Sequence, residues 1–446
     1  MVRQGRSVRA QILVFCGALA YLSWGIDKVT LASGFVDPVR KVRPQDEALY
    51  SSISIGMAER GEWLTPRFLG RLAFVKPLGA YLPAALSVKA FGVSNWSLRL
   101  PSLLCGAALL TLLWSWKGWG AMLLIAANPL FFTLARRNMT DVPLAFFVAL
   151  AIYLWQRSER GAGVAVGAAV LIKSVAGLTP LLFMWRFRIA MIAAAFIAPW
   201  HLYQLAVNGE WYWKEHILDE HLAWGLATPE NAASESHPVF YLTRAWAIDP
   251  VLLLLIPLAI FRSKDRWWVL VSIAVLAVFG YRNATYLLPV FVACAAIVDA
   301  PVWLGSLALA ARLALGVISH APPEPVPPLA ALEQYRALHR TQGLIVDGVE
   351  DEFVATTLGL PRVQYALRGD ARTLAKTNID FVGRGIISSM FTGAAEPRET
   401  VILTDDIFRF APTRDVLIRA EKADGRRAIV QADGWVVVDG RASDDR

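Results

Sequence analysis

Charge is scarce in this chain. Only 18% of its 446 residues are Asp, Glu, Lys or Arg, against about 25% in an ordinary soluble domain. With 56% hydrophobic residues and a mean hydropathy of +0.45, that balance excludes a soluble enzyme. Cysteine is equally rare: Cys16, Cys105 and Cys294 each lie in an apolar run, where a thiol behaves as a small buried hydrophobe. Neither a disulfide framework nor zinc-ligand spacing is present. No Gly-rich loop that could cradle a nucleotide phosphate occurs, and no internal repeat of the kind many transporters carry.

What is there instead is a series of charge-free runs: 11–26, 100–116, 118–135, 142–156, 267–281 and 283–298. Several fall short of the roughly 20 residues that cross a hydrocarbon core, so polar flanks must complete them. The first run follows Arg3, Arg6 and Arg9 without a small-x-small cleavage site and is expected to be an uncleaved helix. Short basic loops at Lys117, Arg157/Arg160, Arg186/Arg188 and Arg262/Lys264/Arg266 belong on the cytoplasmic side. Alternation then predicts eleven spans near 11–27, 97–116, 118–136, 142–156, 161–173, 175–185, 189–206, 246–261, 267–281, 284–299 and 301–319. The pair at 161–185 has short arms, with Lys173 and Ser174 in the turn; basic residues on both flanks favour a hairpin over one crossing.

This topology leaves two long external loops, 28–96 and 207–245. The first is rich in cations, including Lys28, Arg40, Lys41, Arg43 and Lys76, and could hold a lipid phosphate there. The region 1–319 is therefore expected to be a membrane module, followed by a Pro-rich linker at 320–328. Residues 329–446 read as a small soluble, extracytoplasmic α/β domain with short β-like runs at 343–346, 400–403, 428–430 and 435–438. Its acidic group Asp347, Glu350, Asp351 and Glu352 reads as a solvated turn.

Candidate chemistry gathers on the external face. Asp46 and Glu47 either open a helix, where acids favour the first turn, or act on a substrate. Lys76-Pro77 is a snorkelling cation or an anion ligand. Arg137, Thr140 and Asp141 join two apolar helices, where Thr140 or Asp141 could simply cap the second. Lys173 lies in an apolar stretch, where a cation needs an anion or a cavity. The dipeptides Glu215-His216 and Glu220-His221 follow in the second loop; five residues between the two histidines do not fit the i, i+4 geometry of a helical zinc pair.

Taken in order, these clusters resemble the C-type (GT-C) membrane glycosyltransferases, specifically bacterial relatives of protein O-mannosyltransferases and of the aminoarabinose transferases that modify lipid A. The resemblance covers roughly 40–290. It rests on Asp46-Glu47, Gly61-Glu-Trp63, Lys76-Pro77 with Tyr81, Arg99-Leu-Pro101, Asn128-Pro, Arg137 with Asp141-Val-Pro143, Lys173, Pro199-Trp200, the Glu-His pairs and Tyr286-Leu-Leu-Pro289. It implies an inverting transferase of the bacterial inner membrane that moves a hexosyl or pentosyl group from a polyprenyl-phosphate sugar. The acceptor is a hydroxyl on an external lipid, glycan or protein, and no nucleic acid takes part. Asp46 is the implied base and Asp141 a second acid. Glu47, Tyr50, Lys76, Arg137, Lys173, His216, His221 and Tyr286 are implied substrate contacts, with His216 the candidate ligand should a divalent metal bind. The aminoarabinose enzymes carry an arginine three residues after the aspartate and a metal-binding glutamate before the Lys-Pro pair. Leu49 and Val75 stand there in this chain, which argues against that sugar and that metal site. The alternative class is a transporter or flippase of lipid-linked sugars, which needs a polar path through the spans.

Overall fold

The protein is described by a computed structural model. It describes residues 7–26, 46–68, 71–223, 239–263, 265–278 and 282–318, with four strands between 343 and 439. The cations at 28–43, His237, the linker at 320–328 and the acidic residues 350–352 lie outside the described residues.

The described residues up to 318 form a helical bundle. Its helices are α1 (Val8–Ser23), α2 (Asp46–Arg60), α3 (Leu82–Phe91), α4 (Asn95–Trp116), α5 (Trp119–Ala126), α6 (Pro129–Ala135), α7 (Asp141–Leu154) and α8 (Glu159–Lys173). After these come α9 (Thr179–Phe183), α10 (Phe187–Tyr212), a π-helix (Trp213–Ala223), α11 (Phe240–Ile248), α12 (Pro250–Arg262), α13 (Trp267–Val278), α14 (Leu288–Ile297) and α15 (Val302–Ala314). Among the described residues, three helical segments are long and apolar enough, by length and composition, to cross a membrane: Asn95–Lys117, Glu159–Phe183, which folds back at Ser174, and Phe187–Leu222. A fourth span arises if α11 and α12, bent by 118°, count as one. The remaining apolar helices are shorter.

Much of the shortening has a local cause. The expected span 118–136 breaks at Asn128, whose side chain accepts from the Phe131 amide and opens a new helix with Pro129 at its first position. The expected span 246–261 breaks at Asp249, which caps α12 through the Leu252 amide ahead of Pro250. These two breaks face each other: Asn128 Nδ2 donates to Asp249 Oδ2 at 2.7 Å, and the Arg312 guanidinium grips both Asp249 oxygens at 2.6 and 3.0 Å. Polar groups exposed by each break are thereby satisfied inside the bundle.

The 159–183 segment reverses direction. Glu159 at the start of α8 pairs with Arg186 and Arg188 at the start of α10, and Gly163 and Gly167 pack on Ile192 and Phe196. The two helices therefore run parallel, so residues 174–186 must return along them. Ser174 makes the turn with φ 47° and ψ −129°, a conformation costly for any residue with a side chain. Gly177 then folds so closely onto α8 that a Cβ there would strike the Ala169–Val170 backbone.

Strands β1 (Arg67–Phe68) and β2 (Arg71–Leu72) form a small antiparallel pair before Lys76. Strands β3 (Gly343–Asp347), β4 (Thr400–Asp405), β5 (Arg427–Ala432) and β6 (Trp435–Asp439) make one mixed sheet in the order β3-β4-β6-β5, with β3 and β4 parallel. They coincide with the four β-like runs of the sequence.

Candidate active site

A single buried carboxylate organises the region around α2. Glu47 Oε1 accepts from Arg99 Nε at 2.8 Å and from the Asn138 amide at 3.0 Å, while Oε2 takes Arg137 Nη1 in a close ion pair. Asn138 Nδ2 adds a bond to Ser51 Oγ at 3.1 Å, so α2, α4 and the α6–α7 turn are tied at one point. Burial alone would raise the Glu47 carboxyl, but Arg99 and Arg137 outweigh it and hold it below the usual range. Glu47→Ala, which leaves both guanidinium groups buried beside a void, is expected to cost about 3–5 kcal/mol in thermal unfolding of the purified protein. An unchanged unfolding temperature would remove Glu47 from this role.

The expectation that Glu47 and Arg137 contact substrate is corrected by this geometry. Successive residues on a helix point about 100° apart, so Asp46 faces a cavity while Glu47 turns into the protein with Arg137.

That cavity, about 1410 Å³ including its open mouth, is lined by charged and polar side chains, among them Asp46, Lys76, Asp141, Lys173, Glu220, His221 and Tyr286, and by apolar ones, among them Leu144, Val148, Val175, Val275, Leu276 and Pro289. Asp141 and Lys173 meet because α7 and α8 are antiparallel, which sets the first residue of one beside the last of the other. Lys173 Nζ lies 2.6 Å from Asp141 Oδ1 and 4.6 Å above the Tyr286 ring. Capping is not the role of Thr140 or Asp141: the Thr140 side chain makes no cap bond, and Asp141 is spent on Lys173.

Lys76 reaches the same space from the loop after β2. Its amide donates to Tyr81 Oη at 3.0 Å, and its ammonium donates to the Val75 carbonyl at 3.0 Å and to Glu220 Oε2 at 2.9 Å. The loop lies flat on α8 because Gly79 touches the Leu171 carbonyl, where a Cβ would approach to 2.7 Å. Tyr50 lines the cavity beside Leu49, its ring edge-on to Tyr81 at 5.8 Å. Asp46 stands among these groups with no hydrogen bond or ion pair among the described residues. Desolvation raises its carboxyl above the ordinary range; Lys76 and Lys173 oppose this, while Asp141 and Glu220 reinforce it.

The two loop histidines part company. His221 lines the cavity, whereas His216 is buried behind it, donating from Nδ1 to the Phe74 carbonyl at 2.7 Å and stacking on Tyr212. Their five-residue spacing brings the rings together after all, 4.7 Å apart, because residues 213–223 wind as a π-helix in which i and i+5 are neighbours. Among the described residues no three His, Cys, Asp or Glu side chains come together to hold a metal ion. Val75 contributes no donor where the resemblance implies a metal-binding glutamate. Glu220 and Tyr81 are the participants that sequence reasoning had not placed in the site. The Glu-His repeat and the Tyr five residues after Lys76 were the available signals.

With this geometry in place, the sequence pattern of the dolichyl-phosphate-mannose-protein mannosyltransferases matches residues 41–264, half of the chain. The chain belongs to that family. Over 214 residues it is 28% identical to an undecaprenyl phosphate-alpha-4-amino-4-deoxy-L-arabinose arabinosyl transferase of Pseudomonas aeruginosa, covering 40% of this chain and 39% of the relative. Over 119 residues it is 31% identical to an uncharacterised protein of Aquifex aeolicus, covering 25% and 24%. The aligned stretches thus span well under half of these relatives. The fold matches the crystal structure of ArnT from Cupriavidus metallidurans bound to undecaprenyl phosphate, with a TM-score of 0.62, 15% identity and coverage of 98% of this chain and 99% of that one. The apo structure of the same protein gives 0.59 at 16% identity. This mannosyltransferase-family chain is accordingly an integral membrane protein with a membrane glycosyltransferase fold.

Proposed function

We propose that the protein is an inverting glycosyltransferase that moves a sugar from a polyprenyl-phosphate donor to an acceptor hydroxyl at the extracytoplasmic face of the inner membrane. The observation that carries this is the Asp46 carboxylate, unpaired among the described residues, in a cavity that also holds Lys76 and Lys173 and has apolar side chains in its lining. A lipid carrying a phosphosugar combines the same two chemistries. In this reading the prenyl chain lies along Leu144, Val148 and Leu276, and the phosphate meets Lys76.

Asp46 takes the proton of the acceptor hydroxyl as its oxygen attacks the anomeric carbon from the face opposite the phosphate. The bond from that carbon to the phosphate oxygen breaks, and its electron pair leaves with the lipid phosphate. With a second pKa of about 6, that monoester departs as an anion without a general acid, so the protein's task is to place cations against the growing charge. Lys173, held by Asp141 and Tyr286, is the second cation, and His221 and Tyr50 border the sugar. A flippase would need a polar route across the bilayer, and the charge-poor spans of the sequence do not offer one.

In this reading the external loops and the residue 329–446 domain lie outside the membrane. Mass spectrometry of glycolipids and envelope glycans from cells carrying the wild-type or the Asp46→Asn gene tests the reading; identical profiles would defeat it. A pH profile gives a second check. Asp46 must be ionised to act, and its carboxyl is raised, so kcat/KM should climb through a midpoint above 3.8, the ordinary Asp value. A midpoint at or below that value would assign the proton to another group.

A further inference from the structure

We propose that Glu220 is a built-in competitor for the lipid phosphate, holding Lys76 in the empty site and helping to expel the product phosphate after transfer. The inference rests on the function proposed above and concerns an acid that the chemistry there leaves unused. Each other carboxylate around the cavity has an assignment: Asp46 as base, Asp141 on Lys173, Glu47 between Arg99 and Arg137. Glu220 instead sits directly on the cation assigned to phosphate, Oε2 to Nζ 2.9 Å, with both side chains largely covered at 15% and 18% exposure.

Lys76 does not need Glu220 to stay in place. Its backbone is fixed by Tyr81 Oη, and its ammonium is already aimed by the Val75 carbonyl. What the carboxylate adds is competition. A phosphate arriving at Lys76 would stand beside Glu220, and two anions on one partly desolvated ammonium repel, so the incoming one displaces the resident one. The carrier is a helix suited to yielding: Glu220 lies in the π-helix Trp213–Ala223, a winding rarely sustained beyond a turn and concentrated at functional sites.

The pairing answers a difficulty intrinsic to the reaction. The donor is a phosphodiester with one negative charge, whereas the product monoester carries up to two. Lys76 alone would therefore hold product more tightly than donor and stall turnover. A tethered carboxylate that reclaims the ammonium offsets that preference.

The test is equilibrium binding of undecaprenyl phosphate, without sugar, to the full-length protein in lipid nanodiscs. Glu220→Gln should bind it about tenfold tighter, since a charge-assisted hydrogen bond no longer competes. Glu220→Asp, which keeps the charge at shorter reach, should fall between the two and serves if the Gln variant does not fold. A pair that merely shaped the loop would show the reverse, weaker binding on its removal. Equal or weaker binding by Glu220→Gln, or wild-type affinity in Glu220→Asp when only that variant folds, overturns the proposal while leaving the proposed function standing. Wild-type protein that fails to bind the lipid phosphate, or binds it no better than Lys76→Met does, brings down the function and this inference together.

Discussion

Asp46→Asn is expected to reduce sugar transfer by about 10²–10⁴-fold, the usual worth of a general base, while leaving a folded protein. The amide keeps the shape of the carboxylate and loses only its basicity. Folding should not suffer, and the sign can be worked out. A carboxyl whose pKa is raised in the folded state favours folding when protonated and opposes it as pH rises through that raised value. Above that raised value the ionised Asp46 costs stability, and Asn removes the cost. Transfer assayed with a polyprenyl-phosphate sugar, alongside an unfolding temperature equal to or above wild type, checks both halves. Full activity in this variant would eliminate Asp46 as the base. By contrast, loss of activity with a large fall in stability would give it a structural role, the outcome expected for neighbouring Glu47.

Lys76→Met should be almost as damaging. One ammonium about 4 Å from the departing phosphate, at an effective dielectric near 20, stabilises the developing charge by on the order of 4 kcal/mol, or about a thousandfold in rate. Met preserves the length of the side chain, and the Tyr81 bond to the residue 76 amide survives, so loop position is largely retained. The measurement is kcat/KM for the lipid donor. Unchanged kinetics would reduce Lys76 to an interfacial cation. Glu220, left without its partner in this variant, becomes a covered lone carboxylate, so part of any loss in stability belongs to it.

Several of the residues in these predictions could be read from the chain before any coordinates. Asp46, Lys76, Asp141 and Lys173 are charged side chains in or beside apolar sequence, where burial demands a partner or a purpose. They do line one cavity. The turn at Lys173–Ser174 was legible for a similar reason, since basic residues on both sides of 161–185 favour a return over one crossing. The breaks at Asn128 and Asp249 were harder to see. Asn128 lies in a charge-free run and Asp249 near the start of an expected span, and in the fold the two breaks, with Arg312, satisfy each other's polar groups from a distance in sequence.

The roles of neighbouring residues were not legible either. Asp46 and Glu47 are chemically alike and adjacent, and only the packing of α2 against α4 and the α6–α7 turn sends one to the cavity and the other to two arginines. His216 and His221 likewise needed the π-helical winding to bring their rings together, and the carbonyl of Phe74 to withdraw one of them. Composition and the placement of charge by themselves determined that the chain enters a membrane and which short segments carry its ionisable groups, because desolvation acts on each residue wherever it sits. Which of those groups is paired, which is left bare, and that Glu220 rests on Lys76 from 144 positions away were decided by the tertiary structure alone, because ion pairs depend on distances that sequence separation does not encode.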